Sequence, residues 1–415
     1  MRLSLDDWLH KIQGLTSRKI QPDLEKVRSI LKKISNFSSN TQIIIVTGTN
    51  GKGTTVELIT QMLLKNRKTV GTFSSPHLFE FNERIRVNGS NASDKEITDQ
   101  FELIERTRGD HELTFFEYAT LTALSIFSNK DLDYLILEVG IGGSKDTVNI
   151  MDADISVITN IDLDHQRWLG NDLDSIGKEK AGVFRKNKPV ILGEGMPSSV
   201  IDISKSLKCP TYILGKDFYI ESTDLNFSYQ SSFTGNNINS SSGRNNIYLN
   251  SLGIGMAVLE VLDENLDINF EEVLDSSKLP GRCDLIDNRY IFDVSHNPAS
   301  ANFLRNFIDK EIGKDKEVYA IIASSTEKDL AGMVSAFDNR ISEWFITEAE
   351  MPNPMSVENI ALELNNKGEK FTESMSIMDA CLEAEIKATR DSIILVFGSF
   401  YTVSQAYQSL RKDKT

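Results

Sequence analysis

At 415 residues, 40% hydrophobic and 25% charged, the chain has enough apolar material for two or three packed domains of about 150 residues each, and disorder of the whole chain is excluded. Lys and Arg number 45 against 60 Asp and Glu, and the net charge of −15 excludes a broadly basic surface for nucleic acid or anionic lipid, though not a local phosphate site. The three cysteines, Cys209, Cys283 and Cys381, lie too far apart for a CxxC metal site or a disulfide framework, which fits a reducing cytoplasm.

The N-terminal stretch MRLSLDDWLHKIQG carries early charges and no long apolar segment, so no signal peptide is expected. No apolar run approaches the roughly 20 residues that span a bilayer, so no membrane span is expected. Residues 4–13 and 21–34 have helical periodicity. The β-branched run Ile43-Ile44-Ile45-Val46 predicts a buried strand, followed by a Gly-rich turn and a helix over 52–66. Strands follow at 69–73, 133–139, 155–159 and 189–192, with helices at 94–107, 116–128, 173–184 and 198–206 between them. This alternation predicts a mostly parallel α/β sheet. Residues 231–246 hold ten Ser or Asn in sixteen positions and read as a surface loop between short strands. A helix at 251–263 follows. The αβ alternation restarts after the linker Ser276–Gly281, with strands at 289–294, 317–323, 343–347 and 392–397. Helices are expected at 299–309, 357–366, 376–388 and 401–411. The domain boundary is therefore placed near residue 280.

The strongest local signal is Val46-Thr47-Gly48-Thr49-Asn50-Gly51-Lys52-Gly53-Thr54-Thr55, between a buried strand and a helix. Backbone N–H groups of such a turn can point at phosphate oxygens, with Lys52 reaching the outer phosphates and a hydroxyl touching Mg²⁺. The strict GxxxxGK[ST] pattern fails, because Val46 stands five before Lys52 and Gly53 separates Lys52 from Thr54. Nucleotide binding alone leaves open a ligase or transferase, a hydrolysing motor and a switch.

Glu138 ends the strand Tyr134-Leu135-Ile136-Leu137-Glu138, where a buried acid needs a partner or a metal. Ligands of open α/β sheets bind at such strand ends. His165 follows the strand ending Ile158, Ser75 lies in Ser74-Ser75-Pro76-His77, and Lys180 lies in the charge run Lys178-Glu179-Lys180. In the second half, Arg282 follows Pro280-Gly281, and Asp293-Val294-Ser295-His296-Asn297-Pro298 again reads as strand, acid, histidine and helix start. Taken singly, each also reads as a salt bridge, a solvated charge or a helix cap.

Together and in order, TGTNGKGTT, SSPHL, NERIRVNG, FFEYATLTAL, ILEVGIGG, LDHQRWLG, SIGKEKAGVFR, LPGR, DVSHNP and FGSFYTV span nearly the whole chain. The set resembles the folate-type branch of the Mur ligase superfamily, the dihydrofolate and folylpolyglutamate synthases. The resemblance implies an N-terminal P-loop ATPase-like α/β domain, 1–280, and a smaller C-terminal Rossmann-like α/β domain, 281–415, with the site between them. It implies ATP-dependent amide formation between L-glutamate and the carboxylate of dihydropteroate or of folates such as tetrahydrofolate, by a monomer without nucleic-acid or membrane partners.

By motif, Thr49, Asn50, Gly51, Lys52, Gly53, Thr54, Asn250, Arg282, Asp293 and His296 would contact ATP. Thr54, Ser75, Glu138, His165 and a carbamylated Lys180 would hold two Mg²⁺ ions. Thr114, Phe116 and Asp146 would line the pterin pocket. Lys52, His165, Lys180, Arg282 and His296 form the implied catalytic set. The chain departs from the family's GGRLDATN, with Ser144 and Lys145 in place of Arg and Leu, and from its Pro-Asn pair at Leu249-Asn250. Gln21-Pro22-Asp23-Leu24 lacks the glycine usual in the N-terminal substrate loop. The competing readings are a peptidoglycan-type ligase, a nucleotide switch that turns over without glutamate, and a monofunctional folylpolyglutamate synthase that rejects dihydropteroate.

Overall fold

The computed structural model describes residues 3–14, 23–223, 226–241 and 248–412. The chain divides into two compact units, Met1–Ser277 and Lys278–Thr415.

The first unit is built on eight strands: β1 (Gln42–Thr47), β2 (Val70–Phe73), β3 (Ile85–Val87), β4 (Ser90–Asn91), β5 (Tyr134–Glu138), β6 (Ile155–Ile158), β7 (Val190–Leu192) and β8 (Thr211–Ile213). They lie in the order β4-β3-β2-β5-β1-β6-β7-β8, parallel from β2 to β8, with β3 and β4 antiparallel. Alternate residues of each central strand face opposite ways. Ile44, Val46 and Ile136 enter one core with Val56, Ile59, Met62, Leu252 and Met256 of helices Lys52–Lys65 and Leu249–Val261. Ile45, Leu135 and Leu137 enter the other with Ile97, Phe101, Leu121 and Leu124 of helices Asp94–Thr107 and Phe115–Ser128. Both faces are covered, so the strands read as continuous apolar runs. The helix starts are written locally: Ser93 with Glu96 and Thr114 with Glu117 form capping boxes.

Short strands accompany the Ser/Asn-rich segment as expected, but one of them, Asn237–Ser241, lies inside it. Three antiparallel strands, β9 (Phe218–Thr223), β10 (Asn226–Ser231) and β11 (Asn237–Ser241), form a second sheet that includes part of it. One face is solvated, so β11 shows only Ile238, opposite Tyr229, to the apolar side. Residues 242–246 of the expected loop, and Gln21 and Pro22 of the expected N-terminal substrate loop, lie outside the described residues. The helix expected over 173–184 closes at Ala181, capped by Gly182.

The second unit holds β12 (Asp284–Ile286), β13 (Tyr290–Phe292), β14 (Val318–Ile322), β15 (Glu343–Ile346), β16 (Phe371–Glu373) and β17 (Ile393–Phe397), in the order β12-β13-β17-β14-β15-β16. Only β12 is antiparallel. Helices Pro298–Phe307, Val357–Asn366, Ile377–Lys387 and Phe400–Lys412 connect or follow the strands. The mixed α/β class and the parallel sheets match the sequence expectation. Among the described residues, no helix is long and apolar enough to cross a membrane.

Candidate active site

The carboxyl end of β1 turns tightly against the end of β6. Gly48 adopts φ 151°, and a Cβ there would lie 1.8 Å from Thr159 Oγ1, so only glycine permits this approach to the end of β6. The loop is tied to the β6 edge. Thr49 N–H donates to Asn160 O (3.0 Å), Asn50 N–H to Asn160 Oδ1 (2.8 Å), Thr159 Oγ1 to Asn50 O (2.7 Å) and Asp162 N–H to Thr49 Oγ1 (3.0 Å). Gly51, left-handed at φ 78°, caps helix Lys52–Lys65 without a side-chain hydrogen bond. Gly51 has no side chain to cap the helix, so the first turn, Lys52 to Thr54, starts on a glycine, at the helix end whose dipole attracts anions.

Lys52 Nζ bends back to Gly48 O (3.0 Å) and Thr49 O (3.2 Å). Lys180, buried at 4% exposure near the end of helix Leu173–Ala181, donates to the same Gly48 carbonyl at 2.7 Å. Burial first, and the neighbouring Lys52 charge second, pull the Lys180 amine down to about 7. A cleft lined by Gly48, Thr49, Lys52, Gly140, Asp164, His165 and Lys180 collects these groups. His165 takes a left-handed conformation (φ 49°) at the start of the short helix Gln166–Leu169. Its N–H donates to Asp164 Oδ1 at 2.7 Å.

Glu138, 3% exposed, pairs in register with Val46, and Phe73 with Leu137, so Glu138 and Ser75 reach the same strand edge. Ser75 N–H donates to Glu138 Oε2 at 3.1 Å.

The loop after β5 packs against the Lys180 helix. Asp146 Oδ2 accepts the N–H groups of Gly140 (3.0 Å) and Ile141 (3.1 Å), and Oδ1 that of Val148 (2.9 Å). Burial is the largest influence on Asp146 and raises it to about 6, against the pull of those bonds. Phe116 lies against Gly140, where a Cβ would come within 2.8 Å of the ring. Thr114 caps its helix, accepting Glu117 N–H at 3.2 Å. Ser144 Oγ donates to Glu179 Oε1 at 2.6 Å, so the departure from the family's Arg is met by a neutral donor to that acid.

In the first unit, the expected residues Thr49 to Thr54, His165 and Lys180 thus converge on the cleft and its loop, with Asp146 on the adjoining loop and Phe116, from the first turn of its helix, packed against Gly140 of that loop. Asn250 is exposed in the first turn of helix Leu249–Val261; a Cβ on Gly51 would stand 3.5 Å from Ser251 Oγ in that turn. Arg282, Asp293 and His296 belong to the second unit and group together there. Arg282 lies over the Phe400 ring (4.9 Å), and His296 packs beside it (6.3 Å). His296 Nδ1 pairs with Val294 O at 2.8 Å, and since a carbonyl only accepts, the proton sits on Nδ1. Asp293 accepts Cys283 N–H (2.7 Å) and Ser295 N–H (2.8 Å).

Asp164 and Glu179 escaped sequence reasoning. Asp164 stands directly before His165 after β6, which was the available signal. Glu179 was hidden in a charge run. His77, accepting Arg84 Nε at 2.7 Å, is held neutral, because burial and then the Arg84 charge lower it to about 4.

The donors suit a polyphosphate: a helix start on a glycine, an ammonium and a buried amine. Among the described residues no group of three His, Cys, Asp or Glu side chains could hold a metal. One carboxylate, one imidazole and the hydroxyls of Thr54 and Ser75 nevertheless suit Mg²⁺, which keeps waters and phosphate oxygens in its shell.

Two family models match the chain: the Mur ligase middle domain over residues 46–257 and the Mur ligase, glutamate ligase domain over 281–400. The chain is 35% identical to the dihydrofolate synthase/folylpolyglutamate synthase of Escherichia coli strain K12, covering 97% of this chain and 95% of that protein. It resembles the solved structure of E. coli FolC in complex with DHPP and ADP, with a TM-score of 0.90 and 33% identity over 100% of this chain and 99% of that one. A bifunctional folylpolyglutamate synthase/dihydrofolate synthase solved with Mn, AMPPNP and L-glutamate matches at TM-score 0.88 and 33% identity, covering 99% and 98%.

Proposed function

The chain belongs to the Mur ligase family, and from that premise we propose that it is a bifunctional ATP-dependent ligase that joins L-glutamate to the carboxylate of dihydropteroate and to that of folates. The observation that carries this reading is the convergence of Lys52 and the buried Lys180 on one carbonyl beside a helix that starts on a glycine. Two amines gathered at one point are balanced by a strongly anionic ligand, or by conversion of one amine into an acid.

A carboxylate is a poor acyl donor, because its leaving group would be oxide. Transfer of the γ-phosphoryl group of ATP makes an acyl phosphate and ADP. The glutamate amine then attacks the acyl carbon, phosphate leaves, and the amide remains. Lys52 and the first N–H groups of helix Lys52–Lys65 hold phosphate oxygens and face the charge that moves in the first step. Arg282 and His296 serve the nucleotide and the tetrahedral step by charge and hydrogen bonding, with Asn250 and Asp293 as further ATP contacts. Thr54, Ser75, Glu138, His165 and Lys180 would hold two Mg²⁺ ions, which when bound neutralise charge on the transferring phosphoryl group. Lys180 serves as a carbamate: its amine, brought near neutrality by burial, adds CO₂ and loses a proton to become an oxygen donor. Phe116 offers a ring face, and Asp146 and Thr114 offer polar atoms, to a pterin. The first unit is the ATP- and pterin-binding domain and the second the ligase domain of a monomeric, cytoplasmic enzyme.

The test is ADP release with dihydropteroate and with tetrahydrofolate, each with and without glutamate. Both acceptors should give glutamate-dependent release. Release with tetrahydrofolate alone leaves the monofunctional reading, and release independent of glutamate leaves the switch.

Asp146 carries a second expectation. As a carboxylate it only accepts hydrogen bonds, and as pH falls through about 6 it protonates, loses its charge and turns one oxygen into a donor. KM for dihydropteroate should rise as pH falls through that value while ATP affinity holds steady. Asp146→Asn should flatten this dependence. Unchanged pH dependence in the variant removes Asp146 from the pterin site.

A further inference from the structure

The segment that carries Arg282 is held in an unusual shape. Gly281 before it adopts φ 70° and Cys283 after it φ 46°, so left-handed residues bracket the arginine. Glycine adopts that conformation freely, but cysteine does so only where its surroundings enforce it. Three hydrogen bonds enforce it here. Cys283 N–H donates to Asp293 Oδ2 (2.7 Å), Val294 N–H donates to Gly281 O (2.9 Å), and Gly281 N–H donates to the Tyr407 hydroxyl (3.2 Å).

That hydroxyl also donates to Asp284 Oδ2. One side-chain oxygen therefore accepts from the residue before Arg282 and donates to the second residue after it. Tyr407 is itself fixed. It is 6% exposed, and its ring stacks on Phe292 of β13 at 4.1 Å and 22°. It lies seven residues beyond Phe400 on helix Phe400–Lys412, which puts both on one helix face about 10 Å apart. Phe400 receives the Arg282 guanidinium at 4.9 Å. The same helix face thus supports the side chain of Arg282 with one residue and its backbone with the other.

We infer that Tyr407 is a positioning residue for Arg282: its hydroxyl clamps the backbone on both sides of the arginine and sets where the guanidinium stands. This rests on the proposed role of Arg282 in turnover. Loss of the hydroxyl leaves the stacked ring in place but frees Gly281 and Asp284. The arginine then samples several positions, and the rate falls without any change in what the folate substrate touches.

The experiment uses the full chain and compares steady-state ligation by the wild type, Tyr407→Phe, Arg282→Ala and the double variant. Tyr407→Phe should lower kcat about five- to tenfold, the scale of one hydrogen bond, with KM for dihydropteroate unchanged within about twofold. Arg282→Ala should lose more, and the double variant should lose no more than Arg282→Ala alone. Asp284→Leu should reproduce the kcat loss, and Asp284→Asn, which keeps an oxygen acceptor, should return most of it. That rescue separates positioning from loss of fold. If Tyr407→Phe keeps the wild-type kcat while Arg282→Ala is impaired, or if the two losses multiply, this inference falls and the role of Arg282 stands. If Arg282→Ala is fully active, the proposed role of Arg282 falls and this inference with it.

Discussion

Lys52→Ala should lower kcat for ligation by about two to three orders of magnitude, equally with dihydropteroate and tetrahydrofolate as acceptor. The equality matters. Lys52 bends over its own loop with its ammonium 3.0 Å from Gly48 O, and of the influences on the Asp146 carboxylate its charge is the weakest. Its charge acts on phosphate, which both reactions share. Lys52 is only half-buried and contributes no core packing, so the thermal unfolding midpoint of the variant should stay within a few degrees of the wild type. Lys52→Arg should not restore the rate, because a planar fork does not replace a compact ammonium within one helical turn of its own backbone. Near-normal turnover in a folded Lys52→Ala protein would remove the phosphate-loop assignment.

Lys180→Ala is expected to be as damaging, for a different reason. The amine is buried against Gly48 O and brought to about 7 by burial and by Lys52, so above that pH most of it is uncharged. CO₂ adds only to the uncharged amine, and burial therefore prepares the modification. The variant should lose about a hundredfold or more in kcat, the scale of removing one electrostatic stabiliser from a closed site. Formate or acetate at high concentration should restore part of the rate by placing a carboxylate where the carbamate stood. Intact-mass measurement in bicarbonate should show a labile addition to the wild type and none to Lys180→Ala. A wild-type enzyme whose rate is indifferent to CO₂ removal, together with a variant that no carboxylate rescues, would reduce Lys180 to a structural amine that ties helix Leu173–Ala181 to the phosphate loop.

The central strands were legible because both of their faces are covered. Ile43 to Val46 and Tyr134 to Leu137 have no solvent side, and unbroken apolar runs result. The capping boxes at Ser93 and Thr114 were written in four residues each. The strands β11, β12 and β16 were not legible, since each spans three to five residues and has a partly solvated face. The phosphate loop could be read from its glycines, although its spacing departs from the common pattern. The burial of Lys180 could not, because Lys178-Glu179-Lys180 looks like a solvated charge run. Only Lys180 of the three is buried, as the loop at Gly142 to Ser144 closes over that turn and Glu179 accepts Ser144. Asp146 suggested a ligand contact. The fold adds that its two oxygens already brace three backbone N–H groups, so any pterin it meets shares a carboxylate with the loop.

The joining of the phosphate loop to the β6 edge also bears on how the molecule is made. Asn50 N–H is held by Asn160, 110 residues further along, and β1 is flanked by β5 and β6 rather than by any strand near it in sequence. A ribosome adding about 5–20 residues per second spends roughly 6–20 s between these two asparagines. For most of that interval β1 has two apolar faces and no strand beside it, since β5 (134–138) and β6 (155–158) are made only near its end. Nascent chains arrested before Asn160 should therefore be prone to capture by chaperones and unable to retain nucleotide. Those released after the 249–261 helix should do both less and more, respectively. Nucleotide competence arrives late in translation, as a property of the finished sheet.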